Sequence, residues 1–169
     1  LSKNIHPLLM HRGVPGTHEY KIIYEFFKKI KNKNFIKLRL PKFDKSKDDR
    51  CNKKLWYKIN SRPDMIILEG WCVGAKGQQN SELVKSINSL EKVNDPSLVW
   101  RKYVNTQLKI HYKNLFQQID EIIYLKANNF RMLQKWRIKQ EETLWLKLKK
   151  KKKLRIMSRN DIINFMQTY

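Results

Sequence analysis

A glutamate closes the apolar run MIILE (65–69), and Gly70 follows it immediately. An unpaired carboxylate inside a hydrophobic layer is costly. Glu69 therefore belongs where such a segment ends and meets solvent or a ligand, and a carboxylate so placed can hold a divalent cation through oxygen. The bland alternatives are an ion pair with a nearby lysine and a helix cap. Two further clusters carry groups suited to anions. HRGVPGTH (11–18) offers Arg12, Thr17 and His18 just before a helix, where free N–H groups and the positive dipole end favour negative charge. LPKFDKSKDDR (40–50) gathers Asp44, Lys45, Asp48, Asp49 and Arg50. Arg12 or Arg50 can grip a carboxylate or phosphate with two donors. Taken singly, these clusters also read as a capped turn and a solvated loop of mixed charge.

The elements that must position these groups follow from periodicity. In HEYKIIYEFFKKIKNKN, Ile22, Ile23, Phe26, Phe27 and Ile30 recur at spacings of three and four, the pattern of an amphipathic helix. Its lysines lie at the carboxyl end, where the dipole favours them. Thr17 is the expected N-cap, with Glu19 in the first turn. FIKLRL (35–40), MIILE (65–69) and EIIYLKA (121–127) read as strands, the last two as continuous apolar runs of the parallel, doubly covered kind. Val104, Leu108, Tyr112, Leu115 and Phe116 share one face of a helix between them. A longer helix follows an asparagine pair at 128–129, and a last one starts at Ser158 or Asn160. Alternating strands and helices predict one α/β domain over residues 1–169, with ligands gathering at the carboxyl ends of parallel strands. Glu69 then stands as the acid of a Walker B strand stands toward Mg²⁺.

The chain has 37 Lys+Arg against 15 Asp+Glu, a formal charge of +22. That excess suits polyanions. Its lysines are spread over the polar faces of several helices, however, whereas a nucleic-acid module would concentrate charge on one face beside exposed aromatics. The lysine tract KLKKKKKLR (147–155) reads as a solvated helix end. Hydrophobic residues make up 41% of the sequence, enough for a folded core. No apolar run approaches the ~20 residues that cross a bilayer. The amino end lacks the pattern of a signal peptide, and Cys51 and Cys72 lack CxxC spacing. These features predict a cytoplasmic protein. Cys72 reads as a small buried hydrophobe, Trp71, Trp100, Trp136 and Trp145 as packing residues, and His6, His11 and His111 as structural or exposed.

HPLLMHRGVPGTH, LPKFDKSKDDR, LEGWCVGA, WRKYVN, WRIKQEETL and MSRNDIINFMQTY together resemble the plant and cyanobacterial type of D-glycerate 3-kinase. That group consists of P-loop kinases related to uridine kinase, phosphoribulokinase and bacterial pantothenate kinase. The resemblance runs from Ile5 to Tyr169. It implies a P-loop NTPase-like parallel sheet flanked by helices, and ATP- and Mg²⁺-dependent phosphorylation of a small hydroxy acid, D-glycerate. By this resemblance Glu69 and Gly70 serve the nucleotide and its metal, and Arg137 reaches the phosphates, with Arg131 a weaker candidate. Arg12, Thr17, His18, Asp44, Lys45 and Arg50 bind the acceptor, Asp44 being also the acid/base candidate. The sequence departs from the family in lacking GxxGxGKS/T and the aspartate-rich stretch that follows it. Glu19 replaces an expected aspartate, and the chain ends before the family's ERLT. These departures predict a fragment whose sheet lacks its first strand and phosphate loop, and which alone neither phosphorylates glycerate nor binds ATP tightly. The alternatives are a related kinase for another hydroxylated metabolite, a basic nucleic-acid module and a degenerate relative kept for partner binding.

Overall fold

A computed structural model describes residues 1–10, 12–32, 35–44, 49–70, 72–148 and 157–168. The chain is mixed α and β. In order it forms α1 (Tyr20–Lys31), β1 (Leu38–Leu40), β2 (Phe43–Asp44), β3 (Asp49–Arg50), β4 (Tyr57–Ile59), α2 (Ser89–Asn94), α3 (Val99–Gln107), α4 (Lys113–Phe116), α5 (Phe130–Leu148) and α6 (Arg159–Met166). A π-helical segment, Leu108–Tyr112, joins α3 to α4. Among the described residues no helix is long and apolar enough to cross a membrane.

Two compact units emerge, one of residues 1–14, 79–102 and 121–169, the other of residues 15–78 and 103–120. In the second, α1 buries Phe27 and Ile30 and packs against α4, which buries Leu115. Full burial of such side chains is worth about 1.5–3 kcal/mol each. The predicted apolar stripe is thus realised, and Lys28, Lys29 and Lys31 fall in the last turn of α1. Lys31 also donates to the Gln118 carbonyl at 3.0 Å. The start of this helix differs from expectation. Glu19, not Thr17, occupies the cap position, and its side chain makes no capping bond.

The first unit is centred on Leu9, Leu83, Trp100, Ile162 and Met166, all buried. Helices α5 and α6 pack together. Asn129 Oδ1 caps α5 through the Met132 N–H at 3.0 Å, as an asparagine before a helix should. Ser158 opens α6 with a capping box completed by Asp161, a reciprocal pairing that satisfies two orphan donors. Gln167, just beyond α6, ties back to α2: its carbonyl accepts from Asn88 Nδ2 at 2.9 Å and its Oε1 from Ser89 Oγ and the Leu90 N–H.

The strands depart most from the sequence reading. Within 35–40 only Leu38–Leu40 is a strand, and it pairs antiparallel with β4, Leu38 opposite Ile59 and Leu40 opposite Tyr57. β2 and β3 form a second antiparallel pair, Phe43 opposite Arg50 and Asp44 opposite Asp49. Both sheets formed by the described residues are two-stranded. The segments 65–69 and 121–127 belong to neither. Their apolar side chains face solvent, Ile67 at 85% and Leu125 at 90% of full exposure. A strand is a property of a pair, and an apolar run without a neighbouring ladder stays extended with its backbone solvated. Trp136 and Trp145 are likewise about half exposed rather than packed, whereas Trp100 is buried as expected. Trp71 and most of the lysine tract lie outside the described residues.

Candidate functional site

The site is assembled around the segment from α3 to α4. A π turn carries more residues per turn than an α turn, so one extra residue rotates the next turn of helix by about 100°. Here it falls at Leu108–Tyr112 and directs Tyr112 to the loop before α1. The Tyr112 hydroxyl accepts the Gly16 N–H at 3.1 Å and lies 3.4 Å from His18 Nδ1. Tyr103 Oη donates to the Gly16 carbonyl at 3.3 Å. Gly16 is held at both its N–H and its carbonyl.

Only glycine fits there. Its φ is +94°, and a Cβ would stand 2.7 Å from both Gln107 Cγ and Tyr103 Cε1. A left-handed φ of this kind is open to glycine and strained for other residues. Burial pushes the Tyr112 phenol above its ordinary pKa of 10.0, partly opposed by hydrogen bonds from the backbone of Gly16 and His18. One turn away, Tyr20 stacks on His111 at 4.8 Å, with a 2.8 Å hydrogen bond between Tyr20 Oη and His111 Nδ1.

The loop is also joined to the β2–β3 hairpin. Arg50 Nη1 donates to Glu19 Oε2 at 2.5 Å. Both side chains are about half exposed, 45% and 56%. Thr17, His18, Asp44 and Arg50 therefore come together within one unit, on a loop and a hairpin linked by a charge-assisted bond. Lys45 lies outside the described residues.

The stretch after Glu69 reaches the same helix. Cys72 sits close enough to Tyr112 that a charge on one would resist charge on the other, and burial raises the Cys72 thiol pKa, as befits a packed hydrophobe. Asn105 fixes Gln78 through both its amide groups, Oδ1 accepting the Gln78 N–H at 2.7 Å and Nδ2 donating to the Gln78 carbonyl at 2.9 Å. Glu69 itself is exposed at the end of its extended segment. Among the described residues it neither pairs with a lysine nor caps a helix. The chain turns beyond it through a Val73 N–H to Gly70 carbonyl bond at 3.4 Å. The left-handed glycine of this turn is Gly74, with φ +81°, rather than Gly70.

Arg12 and Arg137 belong to the other unit. Arg12 is exposed. Arg137 is held on its own helix by Glu141 at 2.5 Å and by Gln140 Oε1 at 2.7 Å, and Arg131 is exposed.

The fit of the implied groups can be judged from these side chains. Among the described residues no three His, Cys, Asp or Glu side chains gather as a metal cage. Mg²⁺ does not need one, being held by one or two carboxylates together with phosphate oxygens and water. Glu69 has the exposure and chemistry for that role. The five glycines form no GxxGxGKS/T loop, so the residues present do not supply a full cradle for a triphosphate.

No protein-family model matches the chain, but individual proteins do. It is 30% identical over 96% of its length to "Uncharacterized kinase mug58" of Schizosaccharomyces pombe. It is 32% identical over 85% of its length to "Probable ATP-dependent kinase TDA10" of Saccharomyces cerevisiae. It is 26% identical over 79% of its length to the chloroplastic D-glycerate 3-kinase of Arabidopsis thaliana. Its homologues are kinases. The chain spans 58%, 49% and 28% of the lengths of these three relatives.

Against these kinase relatives, the residues that sequence reasoning overlooked are the clamps. Tyr103, Asn105 and Tyr112 hold the two loops, yet they read in the sequence as ordinary members of a helix. The signal that could have found them is the polar member of an apolar face: Asn105 recurs among Arg101, Leu108 and Tyr112 and is buried. Arg101 was also passed over. It lies in the WRKYVN motif and is buried, donating from Nε to Asp95 Oδ2 at 3.0 Å and from Nη1 to the Leu83 carbonyl at 2.8 Å.

Proposed function

We propose that this chain is part of a small-molecule kinase that moves the γ-phosphoryl of ATP to a hydroxyl of a small carboxylic acid, with D-glycerate as acceptor. The observation that carries this reading is that Tyr103, Asn105 and Tyr112 hold both the loop at Gly16 and the stretch after Glu69 at Gln78, while Arg50 of the FD…DR hairpin is bonded to Glu19 of that loop. The kinase relatives support phosphoryl transfer, and the resemblance to the glycerate kinases supports the acceptor.

In this reading Arg50 holds the acceptor's carboxylate with the donors that Glu19 leaves over, and Thr17, His18 and Lys45 complete its grip. Arg12 is a further acceptor candidate. Asp44 receives the hydroxyl proton. Glu69, followed by Gly70, supplies the carboxylate for Mg²⁺, which when bound with ATP offsets charge on the phosphates. Arg137 is the candidate for the charge that develops on the transferred group. Positioning and charge stabilisation account for most of catalysis in such transfers. The surrounding architecture proposed is the P-loop type of parallel sheet, in which 65–69 finds its ladder.

The test is ATP-dependent phosphorylation of D-glycerate, set against other hydroxylated metabolites, by the protein that the whole open reading frame encodes. Glu69→Gln should lower kcat at least about a hundredfold. Undiminished turnover in that variant would remove Glu69 from the mechanism. Preference for a different hydroxylated acceptor would keep the kinase and change its substrate. The isolated 169-residue chain, having no phosphate loop of its own, is expected to turn over no glycerate and to bind ATP weakly. Appreciable turnover by it would overturn that expectation.

A further inference from the structure

We infer that Tyr112 is a positioning residue for the acceptor loop, setting the orientation of His18 through its hydroxyl; this rests on the kinase reading above. Three observations carry it. The phenol is buried, at 4% exposure, yet its hydroxyl is committed to the loop at Gly16 and His18 rather than to its own helix. The backbone it grips contains the one position of the loop with a left-handed φ, where the chain has least freedom to adjust. And it reaches that loop from a π segment, an irregularity frequent at functional sites.

The direction of the bonds follows from the donor inventory. The Gly16 N–H can only donate, so the phenol oxygen accepts it. A neutral tyrosine keeps one proton to give, and desolvation keeps this phenol neutral well past physiological pH. On this inference that proton goes to His18 Nδ1, 3.4 Å away, which makes Nδ1 the acceptor and puts the proton of a neutral imidazole on Nε2. A chain of two such bonds polarises along its length. Tyr112 thus selects one tautomer of His18 and one face for the ring. It touches neither acceptor nor nucleotide in this scheme; it acts through the histidine.

Tyr112→Phe removes the hydroxyl and keeps the ring that packs on Phe116 at 5.8 Å. In the complete encoded protein it is expected to raise KM for D-glycerate about tenfold, with KM for ATP unchanged. Imidazole ¹⁵N spectra at neutral pH should show His18 moving from a predominantly Nε2–H form to a tautomer mixture. A merely structural tyrosine would alter both KM values together and leave the tautomer alone. His18→Gln, whose amide can donate in place of Nε2, should make Tyr112→Phe nearly silent when the two are combined. If wild type phosphorylates glycerate and Tyr112→Phe matches it in both KM values and in the His18 spectrum, the inference falls and the kinase reading stands. If wild type phosphorylates no hydroxy acid, the kinase reading falls and takes this inference with it.

Discussion

Two arginine–carboxylate clusters in this molecule use the same chemistry for different ends. In the unit that holds α5 and α6, Arg101 and Asp95 are 6% and 1% exposed. Asp95 accepts from the backbone of Trp100 and Arg101 as well as from the guanidinium. Arg101 further donates to the carbonyls of Asp95 and Leu83, and Glu91 lies 3.6 Å from it. His6 Nε2 stands 3.9 Å from Asp95. Every charge is sealed and matched. In the other unit, Arg50 and Glu19 meet in the open, each about half exposed. A buried network spends its hydrogen-bonding capacity on the fold, and an open one keeps some for a ligand. Charge alone therefore does not mark a site; exposure and tethering separate the proposed site from the buried cluster.

The comparison can be broken hardest at Arg101. Arg101→Ala leaves the Asp95 and Glu91 carboxylates buried without their cation, and unfolding by urea should show a loss of about 3–5 kcal/mol. A loss below about 1 kcal/mol would mean that the cluster is no more structural than a surface pair.

Gly16→Ala comes next. The left-handed φ and the 2.7 Å approaches to Tyr103 and Gln107 predict about 1–3 kcal/mol of destabilisation. If this loop binds the acceptor as proposed, the change should also displace it, so that kcat/KM for glycerate in the complete encoded protein falls further than the stability loss explains.

Ser158→Ala tests a cap that belongs to neither cluster and should cost about 1 kcal/mol by thermal unfolding. Its pH dependence has a definite sign. Hydrogen bonds from Ser158 hold the Asp161 carboxyl below its ordinary value of 3.8. That contribution is therefore present above the unfolded pKa and lost as pH falls through the lower folded value. The melting-temperature gap between Ser158→Ala and wild type should be constant near neutrality and narrow as the solution is acidified below about pH 4, the part owed to the Asp161 N–H bond to Ser158 Oγ remaining.

The smallest stability change is expected at Glu19→Gln. An exposed pair is worth only about 0–1 kcal/mol, so unfolding should barely move. Freed from its partner, Arg50 should shift KM for the acceptor. A large stability loss here would erase the distinction between the two clusters.

Local features were the most legible in the sequence. The stripe of α1, the Asn129 cap and the Ser158 start of α6 all follow from spacing and side-chain chemistry within a few residues. The segments 65–69 and 121–127 form no strand among the described residues for an equally physical reason, since an apolar run specifies what it avoids and not which neighbour it pairs with. The candidate site divides in the same way. Its loop and hairpin stand out in the sequence by Gly, Arg, Asp and His content, whereas Tyr103, Asn105 and Tyr112 are polar atoms hidden in a helical pattern.

From its order of residues alone this chain determined most of its helices and the caps of α5 and α6, because those depend on contacts between near neighbours. Only the tertiary structure decided that Arg50 meets Glu19, that a π turn swings Tyr112 onto Gly16, and that Arg101 is sealed while Arg50 stays open. Each of those rests on groups far apart in sequence, and no periodicity encodes which distant partner a side chain will meet.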